Sequence, residues 1–155
     1  MTILRTVLAS LALVFVLGSG GGRAEEGRAT QPLTIVSAEG SHDFQVEFAA
    51  DDKARARGLM FRKRMAPDHG MLFDFGRAQP VAMWMKNTFI PLDMLFIASD
   101  GRVVQIHRNA RPHDLTPIRA MIPVRAVLEL KGGITAELGI RAGDRVRHPL
   151  FKAPD

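Results

Sequence analysis

The chain is a series of short apolar runs, each cut off within a few residues by Gly, Pro, Asn or Asp. Runs of that length suit strands, because a strand buries one face with alternate residues and needs only a handful of them. Phe44, Val46 and Phe48 alternate with Gln45 and Glu47, the pattern of a half-buried strand. Leu92–Ala98 and Arg102–His107 flank Ser99-Asp100-Gly101, which predicts a hairpin. Further strands are expected over Leu33–Val36, ending in a Glu39-Gly40-Ser41 turn, and over Met71–Phe75, stopped by Gly76. Val81–Lys86, Val124–Leu130 and Arg145–His148 complete the set.

Two short helices interrupt the strands. Asp51 reads as an N-cap and Asp52 adds acid to the first turn of a helix running to about Phe61. Gly58 lies inside that span, where glycine costs about 1 kcal/mol against alanine. Either a close backbone contact compensates, or the helix stops there. A second, shorter helix over Ile134–Leu138 is closed by Gly139. Neither an internal repeat nor an alternating strand–helix pattern is present. The expected fold is therefore α+β and β-rich. It is one compact domain over residues 32–151, built on a curled antiparallel or mixed sheet, or a β-barrel-like one, with one or two short helices.

The first 24 residues read as a cleavable secretory signal. Arg5 charges a short n-region, Val7–Leu17 is an eleven-residue apolar run, and Gly22 and Ala24 stand at cleavage-compatible positions. Eleven residues fall short of the roughly 20 that span a bilayer. The expectation is a periplasmic protein; the alternative is a membrane anchor formed by an uncleaved signal. No Cys follows the run, so a lipoprotein anchor is excluded. Residues 25–31 are polar and aperiodic, as expected of a disordered linker. Cleavage leaves 131 residues without a transmembrane segment and, by removing Arg5 and Arg23, lowers the net charge from +5 to +3.

Chemistry is constrained mainly by exclusion. With no Cys, disulfides, thiolate metal sites and thiol catalysis are impossible. Past the leader the serines are Ser37, Ser41 and Ser99, and none sits in a G-x-S-x-G elbow. Ser41, His42 and Asp43 are neighbours on a strand and point to alternate faces, so they cannot act as a local triad. Walker A and H-E-x-x-H motifs are absent. A charge of +3 is a mild field, and the aromatic residues do not interleave with the basic clusters in sequence. The partner expected is a small polar or anionic ligand or an envelope component rather than nucleic acid.

One segment combines polar and apolar residues unusually. Trp84 to Asp93 places Lys86, Asn87, Thr88 and Asp93 between two apolar strands, and a buried Asp93 requires a partner, for which Lys86 and Arg57 are candidates. Two readings stay open. The residues form either a polar network that fixes a sheet corner or the polar floor of a ligand cavity walled by Trp84. Arg57 and Glu129 are possible neighbours in either case. Met83 and Met85, two apart on an expected strand, also raise soft-metal binding, since thioethers select Cu(I) and one of the five histidines could join them. Packing of methionine in an irregular core explains the same residues. A third possibility is an enzyme using Asp93 or Glu129 as acid or base.

These motifs also resemble a known family. Arg57-Gly58-Leu59-Met60-Phe61-Arg62, Gly70-Met71-Leu72-Phe73-Asp74-Phe75, the Trp84–Asp93 segment, and Val127-Leu128-Glu129-Leu130 with Gly133, Gly139-Ile140 and Gly143-Asp144 are similar to the ordered signatures of the domain of unknown function 192 family. The resemblance covers about residues 43–147. Members are small prokaryotic proteins, often exported. The resemblance implies a compact β-barrel-like fold with a small helix and implies no reaction. Ala54 and Arg55 stand where many relatives carry Glu or Gln.

Overall fold

The computed structural model describes residues 29–151, so the expected leader and residues 25–28 of the expected linker lie outside the described residues. The remainder of that linker is not a linker. Thr30 and Gln31 pair with Glu47 and Val46 and so belong to the first strand, because the hairpin ladder extends past the apolar run that marked it.

The described residues form nine strands and two short helices. Seven strands make one sheet: β1 (Thr30–Ser37), β2 (Gly40–Ala49), β3 (His69–Gln79), β5 (Leu92–Ile97), β6 (Val103–Ala110), β8 (Val124–Lys131) and β9 (Arg145–Arg147). Their spatial order is β6-β5-β8-β3-β2-β1-β9. Every neighbouring pair is antiparallel except β2 and β3, which run parallel. The connection between those two carries helix α1 (Asp52–Arg57). A parallel pair needs such a crossover, since a tight turn cannot return the chain in the same direction.

The sheet curls into a half-barrel whose two edges meet at one end. Arg102 and Arg145 form a bridge there, the Val103 N–H donates to the Asp144 carbonyl (2.8 Å) and the Val146 N–H to the Gly101 carbonyl (2.8 Å). Both faces are buried. Inside the curl, Leu33, Phe44, Leu72, Leu95, Leu128 and Val146 belong to a core that draws on all seven strands and on helix α2 (Ile134–Glu137). Outside it, Met71, Phe73, Met94, Phe96 and Val127 pack under α1 and the irregular segments that follow it. This explains why β5 is buried at every residue rather than alternately.

Several local expectations hold and others shift. The Asp51 carboxylate accepts from the Ala54 N–H (2.7 Å), the predicted cap. Helix α1 ends at Arg57 rather than Phe61, because Gly58 adopts φ +48°, where a side chain would be strained, and a Cβ there would lie 3.3 Å from the Phe73 ring. The expected strand over Val81–Lys86 shrinks to β4 (Ala82–Met83), which pairs with β7 (Ile118–Arg119), a two-residue strand hidden in a stretch without period. Beyond Met83 the chain turns. Asn87 takes φ +54° and the Thr88 N–H donates to the Met85 carbonyl (3.1 Å). The β1–β2 turn likewise falls one residue early, with Ser37 opposite Gly40.

Candidate functional site

The outer face of the sheet holds a cavity of about 230 Å³. Its floor is the sheet itself, at Phe73 on β3 and Glu129 on β8. One wall is the last turn of α1 and the residues after it, Arg55 to Met60; the other is Ala82–Trp84 with Lys86 and Thr88. The floor follows from strand register. Glu47, Met71, Glu129 and Met94 lie opposite one another across β2, β3, β8 and β5, so their side chains form one row on one face.

Glu129 is the unusual member of that row. It is 4% exposed, and no hydrogen bond or ion pair joins its carboxyl to another of the described residues. Burial pushes its pKa from the ordinary carboxyl range up to about 8. The group is therefore mostly protonated at neutral pH and offers an O–H at the base of the cavity. Relative to an ordinary carboxyl at 4.5, holding the proton at pH 7 costs about 3 kcal/mol of stability. A fold that only required packing would place Met or Leu there.

Cations surround the mouth. The Lys86 ammonium lies 5.6 Å from the centre of the Trp84 ring, and the Arg57 guanidinium 5.9 Å from that of Phe61. Neither pairs with a carboxylate among the described residues. Arg55 differs: it pairs with Asp52 and donates to the Asp74 carbonyl (2.7 Å), so it ties α1 to β3. The cations and rings that are separated in sequence are thus interleaved in space.

The loops bearing these groups are sewn together by backbone bonds. The Phe61 N–H donates to the Asn87 carbonyl (2.8 Å), the Met85 N–H to the Asp114 carbonyl (2.9 Å) and the His113 N–H to the Thr88 carbonyl (3.2 Å). Phe61, Asn87 and His113 all have positive φ (66°, 54° and 63°), a conformation that costs a bulky residue of order 1–3 kcal/mol unless its surroundings impose it. Here the cross-loop bonds impose it on three residues of the loops beside the cavity; the fourth such residue among those described, Asn109 (φ 51°), lies apart and its N–H donates to Asp93.

The residues singled out from sequence separate into two groups. Arg57, Trp84, Lys86, Thr88 and Glu129 line the cavity together, and Met83 joins them. Asn87 shapes the turn instead: its carbonyl holds Phe61, and its amide approaches the Met60 sulfur at 3.9 Å. Asp93 is not part of the cavity. It faces the inside of the curl, and its partners are not Lys86 or Arg57. It accepts from the backbone N–H groups of Asn109 (2.8 Å), Gly133 (3.0 Å) and Thr135 (3.0 Å), and from the Thr135 hydroxyl (2.6 Å). The strand period explains the error, since adjacent residues 93 and 94 point to opposite faces. The Met83–Met85 pair also loses its premise. The strand ends at Met83, and Met85 is sealed in the outer core while Met83 faces the cavity. No group of three or more His, Asp or Glu among the described residues is placed to hold a metal ion. Phe73 and Phe75 were missed as lining residues, although they continue the alternation of β3 from Met71.

A curled, single-domain half-barrel with a cavity over its outer face defines the class; a second pocket, of about 350 Å³, lies against Gln105, His107 and Arg119. The chain belongs to the domain of unknown function 192 family (uncharacterized ACR), whose sequence model matches residues 34–148. Two crystal structures share its fold. A protein from Sinorhizobium meliloti 1021, provisionally described as a transcription regulator, is 52% identical with a TM-score of 0.76, over 80% of this chain and 97% of that one. A protein of unknown function from Novosphingobium aromaticivorans DSM 12444 is 41% identical with a TM-score of 0.77, over 80% of this chain and 89% of that one. No curated protein matches the chain.

Proposed function

We propose that this chain is a non-catalytic binding domain, exported to the periplasm by its leader, that holds a small anionic organic ligand in the outer cavity. One observation carries the reading: a buried carboxyl and two cations, none paired among the described residues, share one cavity with an exposed tryptophan. Arg57 and Lys86 attract the anionic end. The protonated Glu129 donates a hydrogen bond to a polar atom at the inner end, and the sides of Phe73, Phe75 and Met83 take the apolar part. Small-ligand sites commonly combine an apolar lining with a few converging polar groups.

The test is a thermal-shift screen of residues 25–155 against carboxylates, phosphate esters and sulfonates, with Cu(I) included because Met83 faces the cavity. A ligand that binds only the native state raises its stability, by about 2.7 kcal/mol at a hundredfold excess over Kd. An anion is expected to raise the Tm of the parent and not of an R57A/K86A variant. An anion whose shift survives that double substitution binds elsewhere and defeats the assignment.

A second reading rests on the protonation of Glu129. A carboxyl titrating near 8 in an open cavity is suited to general-acid chemistry, and strongly shifted groups cluster at functional sites. Glu129→Gln separates the two readings. The amide keeps a hydrogen-bond donor, so a binding site retains its ligand, whereas an acid–base site binds and no longer turns over.

A further inference from the structure

The cavity mouth is also a basic and apolar part of the surface, and a smaller apolar spot at Met121 and Ile122 lies apart from it, beside Gln105. Residues 53–67 and 75–92 contain eight Lys and Arg and no Asp or Glu. The whole chain carries only +5, so everything outside those two segments sums to −3. A mild average charge therefore conceals a strong polarity. Within the same region four large apolar side chains are exposed: Phe61 (49%), Trp84 (53%), Phe89 (40%) and Leu115 (63%). Two of them touch, and the other two lie on segments joined to theirs by backbone bonds. Phe61 meets Phe89 edge-on at 6.0 Å, Phe89 meets His113 at 5.2 Å, and Leu115 follows Asp114, which is bonded to Met85. Monomeric proteins seldom leave such clusters uncovered without a partner.

We propose that this face docks on the surface of an anionic phospholipid bilayer, with Phe61, Trp84, Phe89 and Leu115 entering the headgroup region and Arg57, Lys63, Arg64 and Lys86 meeting the lipid phosphates. Amphipathic rings settle at membrane interfaces, and each basic residue near an anionic leaflet adds attraction. The only acid among these loops, Asp114, is already occupied by the Thr116 N–H (2.8 Å) and Arg111. No helix among the described residues is long and apolar enough to cross a membrane, so the contact is peripheral. A lipid surface fits better than single-stranded nucleic acid. Base stacking needs open ring faces, whereas Arg57 and Lys86 lie over the Phe61 and Trp84 rings, and Leu115 offers no stacking surface. The inference uses the export reading only to say which leaflet is met and does not depend on the cavity's ligand.

Trp84 is the sole tryptophan, so its fluorescence reports on this face alone. Residues 25–155 serve as the test protein: this chain covers 97% of the crystallised S. meliloti chain, so the domain folds with little beyond the shared part. They are mixed with vesicles of phosphatidylcholine, either pure or containing phosphatidylglycerol. Expected are sedimentation with the phosphatidylglycerol vesicles, a blue shift of Trp84 emission, and weakening as salt rises. K63E/R64E, two exposed positions remote from the core, is expected to lower vesicle affinity roughly tenfold or more while leaving the Tm unchanged. No sedimentation or blue shift with anionic vesicles overturns the proposal. So does equal binding to neutral vesicles, or release from anionic vesicles by a sub-stoichiometric oligonucleotide, which would assign the face to nucleic acid. None of these failures touches the cavity reading, which is tested by R57A/K86A against soluble anions.

Discussion

Asp93 and Glu129 are two buried carboxyls on neighbouring strands of one sheet, and they have opposite meanings. Asp93 stands opposite Leu130 and Glu129 opposite Met94, one register step apart, so they face opposite sides. On the inside, Asp93 is wholly buried and receives four hydrogen bonds that fasten α2 and β6 to β5. On the outside, Glu129 receives none from the described residues, and burial holds it protonated. Both are equally polar in sequence. What separates the two is whether the fold supplies partners: a satisfied charge locks the chain, and an unsatisfied one costs stability and so marks the candidate site.

The largest expected effect falls on the satisfied carboxyl. Asp93→Ala strands three backbone N–H groups and a hydroxyl in the core and is expected to cost about 3–5 kcal/mol, read as a fall in the urea midpoint. A loss under 1 kcal/mol would mean that water replaces the carboxylate and that the site is not a lock. Glu129→Gln is expected to act in the opposite direction. Because the folded pKa of about 8 exceeds the unfolded value near 4.5, the unfolded chain releases its proton first and stability drains away as pH rises between those values. The cost is complete above about pH 8 and absent below about pH 4. The amide cannot ionise, so the variant gains about 3 kcal/mol at pH 7 and gains little at pH 4. Urea melts at the two pH values measure it; an unchanged pH dependence would show that Glu129 has a partner.

How much of this was legible follows from the same pair. The β-rich half-barrel was readable because its strands announce themselves: Phe44-Gln45-Val46-Glu47-Phe48 alternates, and the Asp100-Gly101 turn fixes a hairpin. The cavity was partly readable, since Arg57, Trp84, Lys86, Thr88 and Glu129 were named and do converge. The separation of Asp93 from them was not, although period-two alternation contained it, because β5 is buried on both faces and shows no polar side to orient by. The two-residue strands β4 and β7 carry no periodicity at all. Their pairing is fixed by tertiary bonds such as the Ala120 N–H to the Val81 carbonyl (2.9 Å).

Glu47 is an intermediate case that sharpens the comparison. It lies in the Glu129 row, buried, with one carboxylate oxygen paired to Arg62 and the other without a partner among the described residues. Arg62→Ala leaves it uncompensated and is expected to cost about 2 kcal/mol, because the lost attraction is offset in part by water reaching the loop. If the cost instead disappears in an Arg62→Ala/Glu47→Gln double variant, the penalty belongs to the stranded charge and not to lost packing.

The smallest effect on stability belongs to the cations proposed to meet the ligand. Arg57 and Lys86 pair with no carboxylate among the described residues and lie over the exposed rings of Phe61 and Trp84, an interaction of about 0.5–1 kcal/mol at exposed sites. R57A and K86A are each expected to lower the unfolding free energy by about 1 kcal/mol or less. Binding of an anion found by the thermal-shift screen is expected to weaken by roughly tenfold per cation removed, as for loss of a charge-assisted hydrogen bond. Paired urea melts and anion titrations decide the matter. If either substitution costs as much stability as Asp93→Ala, that cation is part of the fold after all, and the division between the locked inner face and the open outer one does not hold.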